Sequence, residues 1–280
     1  MIESFRGTPG KGGLKYPALW VPENTYHVVN LSGGKDSTAM TLLMIEAGMP
    51  IDAAICADTG MEFPEMYDHL EKMDDLLWRE RGLHITYLRH PQGFEWMLLN
   101  WPVEAGKSAE YRTAQNIPLR GKGWPTVRIR WCTGSLKTHL INKYVNEVKA
   151  EKSAQNYVGI AVDEPKRIKG ERYPLVEWGV DEATAIKICY DRGFDWGGLY
   201  DIYRRCSCWC CPLQRIGELR KLRKHHPELW ERLQEMDMQV REQFGTGPLG
   251  QFKTDWSVEQ LEKRFAAEDD QASFFLEGEG

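Results

Sequence analysis

The sequence lacks the features that mark several large classes of protein. No apolar run approaches the roughly 20 residues that a membrane-spanning helix requires, and Met1 to Arg6 contain no apolar core like that of a signal peptide. The chain also lacks net positive charge, because 41 acidic residues outnumber 36 basic ones. It therefore has no global basic field of the kind that nonspecific nucleic-acid binders use, although a local basic patch is compatible with this balance. We expect a cytoplasmic protein that makes no contact with membranes.

The sequence has no internal repeats, but short apolar runs alternate with helical patterns along its first half. Such alternation predicts an α/β fold, in which helices cover both faces of a twisted parallel sheet. Several glycines and prolines within residues 91–131 interrupt this alternation of predicted strands and helices. The predicted strands are 26–31, 52–57, 85–88 and 157–162, and the predicted helices are 37–47, 64–81, 135–147, 181–192 and a long polar segment over 214–243.

A glycine-rich string, Ser32-Gly33-Gly34-Lys35-Asp36-Ser37, lies where the first predicted strand gives way to a helix. Glycines let backbone N–H groups approach an anion closely, and the N-terminus of the following helix adds a partial positive charge. Lys35 can neutralise a phosphate, and Ser32 and Ser37 can donate hydrogen bonds to it. The spacing of glycine and lysine differs from that of the Walker-type loop. We predict a phosphate-binding turn, against the alternative of an ordinary glycine turn with a solvated lysine.

This string resembles the signature of the PP-loop ATP pyrophosphatase superfamily, which includes phosphoadenosine phosphosulfate (PAPS) reductases, ATP sulfurylase small subunits and tRNA thiolases. The stretch from Asp58 to Glu65, DTGMEFPE, resembles the PAPS reductase branch. The resemblance covers roughly residues 28–212 and implies a Rossmann-like fold of the adenine nucleotide alpha hydrolase type. Further strings fit the same branch: Gly123-Trp124-Pro125, Arg130-Trp131-Cys132-Thr133, Leu136-Lys137, Gly159-Ile160, and Asp163-Glu164 with Arg167.

The resemblance implies roles for individual residues. The loop from Ser32 to Ser37 would hold phosphate or phosphosulfate, and Asp58 would lie near the adenosine, although an aspartate there can also cap a helix. Arginine suits oxyanions because its planar fork binds them in bidentate fashion. The implied catalytic residues are Lys35, Asp36 and Ser37, and the implied nucleotide-binding residues are Ser32, Gly33, Gly34, Lys35, Asp36, Ser37, Asp58, Thr59, Gly60, Lys137 and Arg167. Solvated surface cations are the alternative for Lys137 and Arg167.

Cysteines are clustered, with four of the seven between residues 206 and 211. Under reducing conditions such clusters more often serve metal binding or catalysis than disulfides, and thiolates select iron–sulfur clusters or zinc. Cys132 together with Cys208 and Cys211 supplies three ligands. Cys206 is the stronger candidate for a fourth, because Cys210 adjoins Cys211 and neighbouring residues rarely point at one metal. The other two cysteines, Cys56 and Cys189, lie in apolar segments and are expected in the core.

The strings around Cys132 and around the CxxC-Pro at Cys208 resemble iron–sulfur-bearing members of the family, including adenylyl-sulfate reductases and the DNA phosphorothioation sulfurtransferase. This implies an iron–sulfur cluster, with 4Fe-4S as the favoured type. Cys132 lacks the adjacent cysteine of the adenylyl-sulfate reductase pattern, which leaves a three-cysteine cluster with an open iron. Zinc, or free thiols that pack as small hydrophobes, are the alternatives.

Three functions are compatible with these residues. The favoured enzyme splits ATP, with Mg²⁺ bridging the phosphates, to AMP and pyrophosphate and adenylates a substrate for sulfur transfer. The second is a PAPS or adenylyl-sulfate reductase that releases sulfite. Reductases of this family use a nucleophilic cysteine in a mobile C-terminal tail, and no cysteine follows Cys211, which disfavours the route coupled to thioredoxin. The third is a catalytically silent nucleotide sensor or nucleic-acid-binding module, which the intact Lys35 and Ser37 disfavour.

The sequence divides into a flexible N-terminal arm over residues 1–25, a PP-loop nucleotide-binding domain with the cysteine cluster over 26–212, and a helical C-terminal extension over 213–280 with a frayed acidic end. The expected partners are an adenine nucleotide and a sulfur donor or reductant protein. The sequence leaves open whether the chain forms a homodimer. The basic run from Arg215 to His226 is either a solvated helix face or a contact to a nucleic-acid backbone. Most of the tryptophans are expected in the core or in pocket walls.

Overall fold

The computed structural model describes residues 15–206 and 208–277, with side chains described up to residue 270. The expected flexible arm lies outside the described residues up to residue 14, and the expected frayed end does so for residues 278–280. The described part of the arm is attached to the domain, since the indole N–H of Trp178 donates to the Pro17 carbonyl at 2.9 Å.

Strands and helices alternate along the first half of the chain, as predicted. In order they are β1 Tyr26–Asn30, α1 Lys35–Glu46, β2 Ala53–Asp58, α2 Pro64–Arg81, β3 Ile85–Arg89, α3 Gly93–Asn100, α4 Lys107–Ala114, α5 Trp131–Thr133, a π-helical turn Gly134–Thr138, α6 His139–Glu151, β4 Ala154–Val158, a 3-10 turn Pro165–Arg167, α7 Pro174–Glu177, α8 Glu182–Tyr190, a 3-10 turn Trp196–Gly198, α9 Leu199–Ile202, α10 Ile216–His225, α11 Pro227–Phe244 and α12 Val258–Glu277.

The described strands form one parallel sheet in the order β3-β2-β1-β4. Val28 of β1 is in register with Ala53 of β2 on one side and with Asn156 of β4 on the other. One face of the sheet is covered by α1 and α2, whose buried residues belong to the main hydrophobic core. On the other face, Val28 and Ile55 pack against Val145 of α6. The predicted α/β class with a parallel sheet covered on both faces is thereby confirmed.

The structure corrects three predicted element boundaries. The fourth strand is Ala154–Val158 instead of 157–162, because it pairs along the full length of β1 from Tyr26. The segment predicted as one helix over 214–243 is two helices, since Pro227 starts a new one and forces His226 out of the helical conformation, with φ −135° and ψ 64°. The acidic end, expected to be frayed, is helical up to Glu277.

The last helix, α12, neutralises two arginines of the basic run. Arg220 and Arg223 of α10 pair with Glu262, Glu268 and Asp269 of α12. This face of α10 is consequently committed to packing within the chain and offers little charge to a nucleic-acid backbone. No helix of the described residues is both long enough and apolar enough to cross a bilayer.

Candidate functional site: a phosphate-binding loop beside a cysteine segment

The predicted phosphate loop lies at the point where the order of the strands in the sheet reverses. The chain proceeds from β1 to β2 and β3 on one side, whereas β4 lies on the other side of β1. Ligands of open parallel sheets bind at such a switch point, beyond the carboxyl ends of the strands. The loop after β1 and the segment after β4 touch here, because a Cβ built on Gly159 would lie 2.5 Å from the backbone N of Ser37.

Close packing fixes the conformation of the loop. Gly33 has a φ of +80°, and a Cβ at this position would lie 2.6 Å from the sulfur of Met66. The Gly33 carbonyl accepts a hydrogen bond of 2.7 Å from the indole N–H of Trp196. The hydroxyls of Ser32 and Ser37 lie 3.1 Å apart, at the N-terminus of α1. Both serines therefore lie where an anion bound to that helix end would be.

Lys35 lies between two carboxylates at the start of α1. Its ammonium group is 3.0 Å from Asp36 and 2.8 Å from Glu182 of α8, and its side chain is 14% exposed. Burial on its own would lower the pKa of Lys35, but the two carboxylates outweigh burial and hold that pKa above its ordinary value. The lysine is thus charged at neutral pH and available to a phosphate. Its backbone N–H donates to the Tyr200 hydroxyl at 3.0 Å.

A third carboxylate, Glu164, lies close to the two that contact this lysine. Oxygen atoms of Asp36, Glu164 and Glu182 all lie within 4.8 Å of one another. Burial raises the pKa of Asp36 in spite of the attraction of Lys35, and both other carboxylates add to the rise. Mg²⁺ prefers oxygen ligands about 2.1 Å away, which places those oxygens within about 4.2 Å of one another. These oxygens would have to approach one another by at most a few tenths of an ångström to hold such an ion next to the phosphate loop.

Asp58 ends β2 and is buried. Its carboxylate accepts hydrogen bonds from the Gly60 N–H at 2.8 Å, the Tyr67 hydroxyl at 2.8 Å and the Arg89 side chain at 2.7 Å. Burial would raise the pKa of Asp58, but these three donors outweigh burial and hold it below its ordinary value. Asp58 does not cap α2, whose N-cap is Phe63. Its bond to Gly60 instead shapes the turn that follows β2.

The cysteine segment packs directly against this turn. The Trp209 N–H donates to the Met61 carbonyl at 3.0 Å, and the Cys208 sulfur lies 3.5 Å from the Glu62 carboxylate and 3.7 Å from the Thr59 hydroxyl. Glu62 also pairs with Lys137 at 3.0 Å. The predicted nucleotide-binding turn after β2 therefore adjoins the cysteine segment. Lys137 lies beside that segment, paired with Glu62.

Four thiols occupy one neighbourhood. Burial raises the pKa of Cys210, and the nearby Cys208, Cys211 and Cys132 raise it further. Burial likewise raises the pKa of Cys211, and the nearby Cys132 adds to that rise. Lys253 fixes the segment, because its ammonium group donates to the carbonyls of Pro212 and Gln214, each at 2.6 Å. The structure thus gathers Cys132, Cys208 and Cys211, and it adds Cys210, which the sequence analysis ranks below Cys206.

Cys206 has a different environment. Burial raises the pKa of its thiol to about 12, while a hydrogen bond with Tyr200 and the charge of Lys35 act in the opposite direction. Because Tyr200 also accepts the Lys35 N–H, Cys206 lies on the phosphate-loop side of the cysteine segment. Cys56 and Cys189 are buried, as expected for core residues.

The spacing of the sulfurs bears on the kind of metal that they can hold. Within the described part of the chain, no three cysteine sulfurs lie within 4.8 Å of one another. Tetrahedral zinc, with Zn–S distances near 2.3 Å, needs sulfurs about 3.8 Å apart. A cluster of several irons spreads its thiolates more widely than one ion does. The described cysteines are therefore not drawn together in the way that a single zinc ion requires.

Other predicted and unpredicted residues also meet at the loop. Arg167 pairs with Glu164, one of the three carboxylates, so it lies at the edge of the site. The sequence did not place Glu182, Trp196 or Tyr200 at the loop, which they reach from segments more than 140 residues downstream. Nothing in their local sequence distinguishes them, since each contributes only through tertiary packing.

Comparison with known proteins agrees with this geometry. Residues 26–151 match the family model of the phosphoadenosine phosphosulfate reductase domain. The chain is 27% identical to an uncharacterized protein of Methanocaldococcus jannaschii over 82% of the chain and 46% of that protein. It is 23% identical to a second uncharacterized protein of that organism, over 78% of the chain and 49% of that protein. An uncharacterized 37.8 kDa protein of Escherichia phage 186 is 27% identical over 41% of the chain and 40% of that protein. The chain spans about half the length of the curated relatives it matches.

Proposed function

We propose that this chain, which carries a phosphoadenosine phosphosulfate reductase domain of the PP-loop superfamily over residues 26–151, is an enzyme that cleaves ATP to AMP and pyrophosphate. In this proposal it adenylates an oxygen atom of its substrate, and sulfur then displaces AMP. The four-thiol neighbourhood of Cys132, Cys208, Cys210 and Cys211 would hold an iron–sulfur cluster that takes part in the sulfur transfer.

The observation that carries the choice of ATP is the grouping of Asp36, Glu164 and Glu182 beside Lys35. A polyphosphate chain carries Mg²⁺, and carboxylates beside the phosphates supply the oxygen ligands that this ion prefers. A lysine held charged among three carboxylates can shift to the phosphates once the ion satisfies those carboxylates. A phosphosulfate substrate makes no comparable demand for a divalent cation.

Catalysis in this site would be mainly electrostatic. The N-terminus of α1 and the Lys35 ammonium group would stabilise the charge that develops on the departing pyrophosphate. Ser32 and Ser37 would hold the phosphates by hydrogen bonds, so that the α-phosphate faces the attacking oxygen. Mg²⁺, when bound at the three carboxylates, would neutralise phosphate charge. The P–O bond to pyrophosphate breaks as the substrate oxygen bonds to the α-phosphorus, and AMP leaves when sulfur replaces that oxygen.

The cysteine site fits a cluster on three grounds. The thiols come from two distant parts of the chain, the sulfurs are spaced too widely for one zinc ion, and burial opposes free thiolates at all three positions of the segment. A metal centre compensates for this burial, because coordination deprotonates a thiol outright. Glu62 and Thr59 contact Cys208 directly, so a cluster held there would lie beside the turn that would receive the nucleotide.

Reduction of PAPS to sulfite is the second candidate, and the family match itself favours it. Product analysis separates the two functions. Anaerobically purified protein is incubated with ATP and Mg²⁺, and with PAPS and a dithiol, while AMP, pyrophosphate and sulfite are measured. Release of pyrophosphate that depends on Mg²⁺ supports our proposal, whereas sulfite from PAPS without pyrophosphate from ATP would replace it with the reductase.

Lys35→Ala tests the loop in the same assays. Loss of a charge-assisted contact costs about 1.5–3 kcal/mol, so ATP binding should weaken at least about tenfold while the melting temperature stays close to that of the wild type. Lys187→Ala is the matched control, since Lys187 lies on α8 with a side chain that is 72% exposed. Equal ATP binding by both variants would remove the phosphate-loop assignment.

A further inference from the structure

The segment before Cys132 carries an unusual concentration of positive charge. Between Glu110 and Glu147 the sequence contains no aspartate or glutamate, although the whole chain has a formal net charge of −5. Seven cations lie in this interval: Arg112, Arg120, Lys122, Arg128, Arg130, Lys137 and Lys143. Three of them have assigned roles, because Arg112 is buried against backbone carbonyls, Lys137 pairs with Glu62 and Lys143 lies near Glu147. Four cations remain to be explained.

These four cations, Arg120, Lys122, Arg128 and Arg130, make no ion pair with any carboxylate of the described residues. Elsewhere the chain pairs its arginines extensively, as at Arg220 and Arg223 of α10. Lys122 illustrates this lack of a carboxylate partner. Burial and the charge of Arg112 both lower the pKa of Lys122, and no nearby acid raises it. Cations without a carboxylate partner create a local positive field that favours an external anion.

Aromatic rings lie among these cations. The Lys122 ammonium group is 4.2 Å from the centre of the Trp101 ring, and the Trp96 ring meets Trp101 edge to face at 6.2 Å. Trp96 is 36% exposed. Three other indoles differ in exposure, since Trp131, Trp196 and Trp209 are all buried. An accessible tryptophan beside unpaired cations is the combination that stacks bases and contacts phosphates.

Local backbone structure brings these groups together. The strand-like stretch from Arg120 to Gly123 runs beside the end of α3, with the Lys122 N–H donating to the Met97 carbonyl at 3.0 Å and Arg120 bridging to Pro102. Arg128 and Arg130 follow on the exposed turn that a Thr126–Ile129 hydrogen bond closes at 3.1 Å. This turn leads directly into Trp131, whose ring lies 5.9 Å from Lys122. Val127 and Ile129 are 77% and 60% exposed on it.

We propose that this cationic face, defined as Arg120, Lys122, Arg128 and Arg130 with the rings of Trp96 and Trp101, binds single-stranded nucleic acid. The cations would contact successive phosphates, and Trp96 would stack on a base. The face adjoins Cys132, so a bound strand would pass close to the cysteine segment. The inference does not depend on the nucleotide chemistry proposed above, because no phosphate-loop residue contributes to the face.

Fluorescence anisotropy without added ATP tests the proposal. The probes are labelled oligothymidylate and oligouridylate of about 15 nucleotides, near the upper end of known site sizes, titrated over a range of salt concentrations. Wild-type protein should bind with an affinity that falls as salt rises. Arg128→Ala combined with Arg130→Ala should weaken binding at least tenfold and reduce the salt slope by about 1.4, since each phosphate contact on a single strand contributes about 0.7.

Matched variants make the test specific. Lys72→Ala combined with Arg79→Ala removes two exposed cations of α2 and should leave binding within twofold of the wild type. Trp96→Ala should weaken binding roughly tenfold without changing the salt slope, because stacking carries no charge, and Trp96→Phe should restore most of it. Melting temperatures show that each variant is folded. Absence of binding at low salt, or equal loss in both double variants, would overturn the proposal. Equally tight binding of polyglutamate, insensitive to Trp96→Ala, would assign the face to an acidic protein instead.

Discussion

The indole N–H of Trp196 donates a 2.7 Å hydrogen bond to the carbonyl of Gly33, across 163 residues of sequence. Trp196 is itself 1% exposed and stacks on His69 at 4.4 Å between ring centres. His69 in turn bonds the Thr38 hydroxyl of α1 at 2.9 Å. Buried contacts from Trp196 and His69 thus hold both the loop and the helix that follows it.

Trp196→Phe should weaken nucleotide binding about fivefold while largely preserving the fold. The variant keeps an aromatic ring against His69 but leaves the buried Gly33 carbonyl without its donor, which costs about 1–3 kcal/mol. Calorimetric titration with ATP and thermal melting measure the two effects. Trp230→Phe is the control, because the Trp230 indole bonds Glu262 far from the loop. Equal ATP affinities for the two variants would show that Trp196 does not position the loop.

Gly159→Ala should disrupt the contact between β4 and the phosphate loop. The new Cβ would lie 2.5 Å from the backbone of Ser37, and backbone cannot move aside as a flexible side chain can. We expect a loss of about 1–3 kcal/mol in unfolding free energy, as for overpacked cores, together with weaker ATP binding. Gly170→Ala meets nothing within 4 Å and should change neither quantity. Denaturant unfolding compares the two, and similar stabilities would contradict the close approach.

The proposed iron–sulfur cluster would give the protein visible absorbance. If an iron–sulfur cluster is present, anaerobically purified protein should be brown, and Cys132→Ser, Cys208→Ser or Cys211→Ser should each remove iron and visible absorbance. Cys210→Ser and Cys206→Ser identify any fourth ligand, and the four-thiol neighbourhood favours Cys210. Cys56→Ser and Cys189→Ser are the controls, since both thiols are buried in the core. Colourless protein with stoichiometric zinc would rule out the cluster and leave a structural metal site.

Acid should destabilise the protein through His69. Burial lowers the pKa of this histidine from 6.5 to about 3 in the folded state. The unfolded chain therefore binds the proton first, and the stability that neutral His69 provides is complete above pH 6.5 and is lost as pH falls towards about 3. The expected loss is about 1.4 kcal/mol per pH unit in this window. Urea unfolding at several pH values measures it, and His69→Gln, which never takes up the proton, should show a smaller slope. Parallel slopes would mean that His69 titrates normally.

The sequence alone was sufficient for the outline of the fold. Short apolar runs and helical patterns located β1, α1, β2, α2 and β3 to within about two residues, because each strand is short, apolar and followed by a turn. The candidate phosphate loop could be predicted for the same local reason, since glycines, a lysine and serines must be contiguous to surround an anion at a helix N-terminus. The break at Pro227 was readable in principle, because proline cannot continue a preceding helix.

Tertiary structure decided which distant groups share a site. Glu182, Trp196 and Tyr200 reach the loop only because α8 and the turns after it pack on α1. The turn after β2 meets the cysteine segment through the contact of Trp209 with Met61. Cys206 and Cys210 have different environments although they lie only four positions apart. A sequence pattern records neighbours along the chain, whereas charge compensation and metal ligation depend on distances in space. For that reason the residue types were predictable here, and their partners were not.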